Sequence, residues 1–416
     1  MKKAITMLLA LALLLGLAAC GGKQSGDGQP VETPAPNSGA PVSSKAPTEP
    51  TGPNYEDMGT VLWLTDLTEG IRYEAAYAYM TAICGELGYE LTVVCGDAMN
   101  DAAGNLLAVQ NSMTDDVVAL IAGQDGGLTA IMENYPDLWV CGYNTDLRSV
   151  YEEDGENSAC LENPRFLGTV CNGYYSGTQL GADLAAEVIA KGYKSVAVVN
   201  VPFFAYPDLG EATTAFYAAI EAYNKDAAEP ISVDAKATTL MFDPLSEQWF
   251  GEGTHGELDA VVALCDGIQL VYPAMKSAMA NGICPPETVL LTVDFDNRAD
   301  VAADVGEGHT IRWIRMTPAE NAAYPLVLID NALTGKLPAD FTACYVEGVP
   351  YTIDSAEDME NVLTKSMTGT ADVSLAQLSV AEVVALCGRN RSDVTHADLI
   401  LALHADTLSV DALKDR

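Results

Sequence analysis

The chain has 416 residues, about half of them hydrophobic, and carries 58 acidic against 21 basic side chains for a formal charge of −37. Such a charge repels nucleic-acid phosphate and anionic lipid, which excludes both as partners, and the length exceeds what one hydrophobic core usually serves. In chain order, Lys2 and Lys3 precede an apolar run from Ala4 to Ala19, the charged start and greasy middle of a signal peptide over residues 1–19. Residues 20–57 hold seven prolines, several glycines and almost no large apolar side chains, so they read as a disordered spacer. A coil of this length reaches about 30–35 Å.

The junction between run and spacer, Leu17, Ala18, Ala19 and Cys20, resembles the lipobox of bacterial lipoproteins. That resemblance implies cleavage before Cys20, lipidation of Cys20, and a protein anchored at the extracytoplasmic face of the cell membrane. Nine further cysteines are scattered without C-x-x-C pairs, and Cys95, Cys141 and Cys265 fall in apolar runs where a thiol packs as a small hydrophobe.

From Gly59 one unit repeats: apolar strand, polar turn, amphipathic helix. "TVLWLTD" leads to a helix with Ile71, Ala75, Tyr79, Ile83 and Leu87 on one face, for which Asp66 and Glu69 form a capping pair and Gly88 the stop. "ELTVVCGD", "VVALIAG" and "LWVCGYNTD" follow as strands buried on both faces of a parallel sheet. After an acidic stretch over 151–165, "FLGTVCN" opens a second lobe, followed by a helix with Leu180, Leu184 and Val188 inward and Gly192 as stop. "SVAVVNVP", "ISVDAKAT", "DAVVALCDG", "TVLLTVDFD" and "TIRWIRM" supply its strands, with helices near 208–225, 269–281 and 297–305. A last helix after Met316 is broken or kinked by Pro325 and ends at Gly335. The fold class is therefore α/β, with a first lobe of four strands and a second that opens after the acidic stretch. Residues 351–416, with Leu378, Val383, Leu386, Leu399, Leu401 and Leu403 at helical spacing, form a small helical extension. It reads as a cap on the second lobe, with a partner-docking module as the alternative.

The order of elements, with "GYYSGTQLGADLAAEVIAKGYKSVAVV", "ALCDG", "VLLTVDFDN" and "TPAENAAYPLVLIDNALTGK", resembles type I periplasmic-type solute-binding proteins. Ribose-binding proteins and the ligand-binding cores of lac-repressor-like regulators share that organisation. The resemblance spans residues 58 to 345 and implies two doubly wound parallel-sheet lobes, 58–163 with 317–337 and 164–316 with 338–350, joined by three crossovers, a ligand between them, and an ABC permease as membrane partner. "ENYPDLWV" is also similar to the nucleoside-binding basic membrane lipoproteins of the same fold.

Ligands of open parallel sheets sit at the carboxyl ends of the strands. The candidate binding residues there are Trp63, Asp66, Gln124, Tyr143 and Asn144 in the first lobe, and Asn200, Phe203, Asp266, Asp296 and Arg315 in the second. Aromatic faces beside carboxylates and amides suit a sugar or a nucleoside. By the resemblance, Asp296 matches the aspartate ending a G-F-D phrase, Asp266 the acid before the next-to-last helix, and Arg315 or Met316 a polar residue at the last crossover. Sugar binders of the family place Asp-Arg where this chain has Tyr143 and Asn144. No catalytic constellation emerges. "GEGTHG" precedes a strand instead of following one, "DFDNRAD" lacks a calcium loop's central glycine, and His255, His309, His396 and His404 stand apart. The expectation is a monomeric, non-enzymatic binding protein of an ABC-type importer for a small polar solute, a sugar first, without cofactor or metal; the alternatives are a nucleoside-binding lipoprotein of the same fold and a sensor that presents its ligand to a membrane receptor.

Overall fold

A computed structural model describes residues 57–416 except 98, 146, 172–176, 204–205, 242, 295–298, 367–375, 404–407 and 415. Cys20, the leader, nearly all of the spacer and Asp296 lie outside the described residues. The chain from Gly52 onward forms one compact unit.

Among the described residues two sheets carry the fold. Strands β1 (Thr60–Thr65), β2 (Glu90–Cys95), β3 (Val117–Ala122), β4 (Trp139–Tyr143) and β5 (Phe166–Cys171) are joined by β12 (Cys344–Glu347) in the order β12-β5-β4-β3-β1-β2, all parallel. The second sheet contains β6 (Ser195–Asn200), β7 (Ser232–Val233), β9 (Ala260–Asp266), β10 (Val289–Val293), β11 (Ile311–Met316) and β13 (Tyr351–Ile353) in the order β13-β11-β10-β9-β6-β7, and β8 (Thr238–Thr239) pairs with β6. β13 is antiparallel to β11. Helices α1 (Ile71–Leu87), α2 (Ala102–Ser112), α3 (Leu128–Asn134), α4 (Gly177–Lys191), α5 (Pro207–Asn224), α6 (Tyr272–Ala280) and α7 (Ala323–Leu333) alternate with the strands. α8 (Ala356–Lys365), α9 (Val380–Leu386), α10 (His396–Ala402) and α11 (Val410–Lys414) belong to the C-terminal extension.

The apolar strands behave as sequences buried on both faces must. Along β1, Val61 and Trp63 enter the core shared with α1, whereas Leu62 and Leu64 enter a second cluster with Leu128 and Ile131 of α3. α1 buries its anticipated face, and Gly88 closes it in the left-handed region at φ 84°. Its N-cap is Gly70, without a side-chain cap, so Asp66 and Glu69 do not cap it. Pro325 is the third residue of α7, where its missing N–H costs no helical bond, so the helix starts there without a break; residues 299–304 form a 3-10 turn, not an α-helix. Cys141 and Cys265 are buried, but Cys95 is exposed.

Lobe membership departs from the sequence reading in three places. β5, read as opening the second lobe, pairs with β4 and completes the first sheet before the chain crosses. β12, assigned to the second lobe, pairs with β5. Residues 351–353, assigned to the helical extension, are an edge strand of the second sheet. The extension also does not cap the second lobe alone, because α9 packs on α1 and α7 of the first. These misassignments share one cause: which sheet a short apolar strand joins is set by long-range pairing, on which its own residues are silent. Where the chain leaves the first sheet, the N–H of Gly348 donates to the carbonyl of Cys171 at 2.7 Å. Among the described residues no helix is long and apolar enough to cross a membrane.

Candidate functional site

The carboxyl ends of both sheets face one cleft, and two ion pairs cross it. Arg72, in the first turn of α1 after β1, places Nη1 2.6 Å from Oδ2 of Asp294, which follows β10. Arg148, just past β4, pairs with Asp208 in the first turn of α5 after β6, and its Nη1 lies 2.9 Å from Glu211. The two connections correspond in topology, since β1 and β4 hold the same places in the first sheet's order as β6 and β10 in the second, with the charges exchanged. In one the helix start supplies the arginine, in the other the acid. The same correspondence relates Asn144 and Asp294. Each is the first residue past its strand, each is left-handed (φ 60° and 52°), and each N–H donates at 2.8 Å to a carbonyl of the next strand, Val170 or Arg315. Asn and Asp are the non-glycine residues that adopt this conformation at least cost.

An aromatic wall lines the first-lobe side. Trp63, only 2% exposed, stacks on Tyr73 with ring centroids 5.7 Å apart, meets Tyr143 edge-on at 6.2 Å, and Tyr73 in turn stacks on Tyr77. Burial pushes the Tyr143 hydroxyl far above its ordinary value; the charge of Glu320 adds to this and Arg72 opposes it. Tyr143 therefore stays neutral. Among the described residues, three buried polar atoms of β1, β4 and β6 or the residues just past them find no hydrogen-bond partner: the indole N–H of Trp63 and the Oδ1 of Asn144 in the first lobe, and in the second the Oδ1 of Asn200, whose amide donates to Thr213 at 3.2 Å. Buried groups of this kind are normally satisfied, so these ask for a polar partner.

The other candidates divide. Phe203 is 61% exposed just past β6, its ring lying where a side chain at Gly210 would collide with it. Asp66 is exposed beyond β1. Gln124, past β3, is buried, its amide donating to the Asp97 carbonyl at 2.6 Å, and so ties its loop to the one after β2. Asp266 accepts from the N–H of Gln269 at 3.1 Å and caps a one-turn helix. Arg315 is drawn into the second lobe, 2.9 Å from Asp183 of α4 and over the Trp313 ring, where it braces the fold. Arg72, Tyr73, Arg148 and Asp208 were missed. The usable signal was scarcity: with 21 basic residues against 58 acidic ones, an arginine directly after a sheet strand is an obvious partner for an acid across the cleft. Among the described residues no group of three or more His, Cys, Asp or Glu could hold a metal ion.

No protein-family model and no curated protein sequence matches the chain. Solved structures do. The periplasmic component of the arabinose ABC transporter from Shewanella sp. ANA-3, bound to L-arabinofuranose, is 16% identical with a TM-score of 0.51, covering 83% of this chain and 99% of its own. An ABC transporter solute-binding protein from Agrobacterium vitis, bound with α-D-tagatopyranose, is 12% identical with a TM-score of 0.53, covering 73% and 96%. One from Bacillus halodurans C-125, with bound myo-inositol, is 15% identical with a TM-score of 0.52, covering 75% and 99%. The chain thus has the type I periplasmic binding protein fold, as its order of elements implied.

Proposed function

We propose that this protein is a lipid-anchored, non-enzymatic solute-binding protein of an ABC importer, held by Cys20 at the extracytoplasmic face of the membrane, that closes its two lobes on a neutral polyhydroxylated solute. The observation that carries the reading is the unsatisfied polar set of Trp63 and Asn144 in the first lobe, whose Trp63, Tyr73 and Tyr143 rings form a wall, and Asn200 in the second: one N–H and two amide oxygens, buried and without partners among the described residues. A sugar or polyol supplies what such a set lacks, hydroxyls that both donate and accept beside an apolar face that packs on rings. The ligands named for the structural neighbours, arabinofuranose, tagatopyranose and myo-inositol, belong to the same class. The arginines of the cleft, Arg72 and Arg148, are each engaged by acids across it, which suits an uncharged solute better than an anionic one.

The test is a thermal-shift series on the full chain in detergent micelles against pentoses, hexoses, cyclitols, nucleosides and amino acids. A ligand bound only by the folded state at about 100 times its Kd adds about 2.7 kcal/mol and raises the melting temperature by several degrees. We expect shifts confined to sugars or polyols and abolished by Asn144→Ala or Asn200→Ala. Shifts with nucleosides alone would move the protein to the nucleoside-binding branch, and none across the panel would overturn the solute-binding reading.

A further inference from the structure

The C-terminal extension touches both lobes in turn. Its first part belongs to the second lobe: β13 pairs with β11, and α8 lies against residues 299–304. Its middle part belongs to the first: Tyr79 donates to the Leu378 carbonyl at 2.5 Å, Arg389 pairs with Asp330 of α7 and donates to the Leu87 carbonyl at 2.8 Å, and the Tyr324 hydroxyl meets His396 at 2.9 Å. The last helix, α11, then returns to the first part and joins the two. Lys414 lies 2.8 Å from Asp358 of α8, and Lys365 donates to the Leu413 carbonyl at 2.6 Å. Arg416 reaches the other way, to Glu382 of α9 at 2.8 Å and to the Gln377 carbonyl at 2.9 Å, while the Leu413 side chain is fully buried between them. Between these attachments lies the hinge, where Glu320, in the crossover from β11 to α7, accepts from Ser366 at 2.7 Å and from the Gln377 N–H at 3.1 Å.

We propose that the extension is a strap across the hinge, buckled by its last residues, that sets how far the lobes open in the absence of ligand. Rotating one lobe away from the other moves the α8 attachment relative to the α9 attachment, and α11 with Arg416 bridges the two helices, beside Glu320, which accepts from Ser366 after α8 and from Gln377 before α9. A change in the angle between the lobes must strain or release that buckle, so its strength biases the open-closed equilibrium. This rests on the clamp reading above but asks a separate question, since it concerns the ligand-free protein.

The experiment is hydrogen exchange with mass-spectrometric readout on the ligand-free full chain in micelles, comparing wild type with Lys414→Ala/Arg416→Ala and with a chain ending at Ser409. Both charged side chains of the double variant are about one-third exposed, so the lobes' cores keep their packing. We expect roughly three- to tenfold faster exchange at the cleft segments 143–145 and 292–294, with β3 and β9 unchanged. Arg416→Lys, which keeps the charge, restores part of the protection. Faster exchange confined to α9 and α11 overturns the proposal, because the strap would then have loosened without opening the lobes. A uniform rise that includes β3 and β9 overturns it equally, as general destabilisation. In either case the sugar panel still decides the clamp reading on its own.

Discussion

Asp330 shows how a single residue is held in a place its chemistry disfavours. It is fully buried in α7, and burial raises its carboxyl above the ordinary range while Arg389, and Tyr89 donating at 3.1 Å, act to lower it. A buried pair of this type contributes little net stability when intact but is expensive to break, because the survivor is left charged in an apolar setting. Arg389→Ala is therefore expected to cost about 3–5 kcal/mol in a denaturant unfolding series. Asp330→Asn in the same background recovers much of that loss, since the orphaned charge goes with it. If the double variant is no more stable than Arg389→Ala, the loss comes from the Arg389 guanidinium over the Tyr89 ring and not from the stranded carboxylate.

The crossover that carries Glu320 makes the same point at the scale of an element. Glu320 is wholly buried and accepts from Tyr351 at 3.1 Å, from Ser366 and from the Gln377 N–H, yet burial outweighs these bonds and holds its carboxyl above its ordinary value. A carboxyl raised on folding binds its proton more readily in the folded state, so its contribution to stability is full below the ordinary carboxylate range and is lost as pH rises through the raised value. Glu320→Gln, which mimics the protonated form, should gain on wild type by roughly 2–4 °C in melting temperature between about pH 4 and about pH 7.5. A constant difference would show that the hydrogen bonds hold the group at its ordinary value. Nothing in "TPAENAAYP" announced this buried acid, because Glu320 owes its burial to the extension folding over it. What was legible is what is local: the helical face of α1, the stops at Gly88 and Gly192, and strands β1 to β6 and β9 to β11 as apolar runs. β12 was illegible because Cys344, Tyr345, Val346 and Glu347 look like a strand only beside β5. Of the candidate site, the aromatic and amide half could be read from strand ends. The cross-cleft ion pairs left only the scarcity of basic residues as a signal, since the partners of Arg72 and Arg148 lie 222 and 60 residues away.

Across the whole molecule, a net charge of −37 sets two electrostatic effects against each other. Like charges spread over both lobes repel at separations of tens of ångströms, while Arg72 and Arg148 attract acids at contact distance across the cleft. Salt treats these differently. At about 0.5 M ionic strength the screening length is only a few ångströms, which removes most of the diffuse repulsion but leaves a partly buried contact pair largely intact. The repulsion is therefore what salt relieves, and melting temperature should rise by several degrees between about 20 mM and about 0.5 M sodium chloride, most steeply at the low end. A falling melting temperature would mean that the cross-cleft pairs dominate. The same series separates ligand classes: a neutral polyol carries no charge for the field to act on, so its Kd should stay within about twofold across that range, whereas an anionic solute would have to approach against the repulsion and would bind more tightly as salt weakens it.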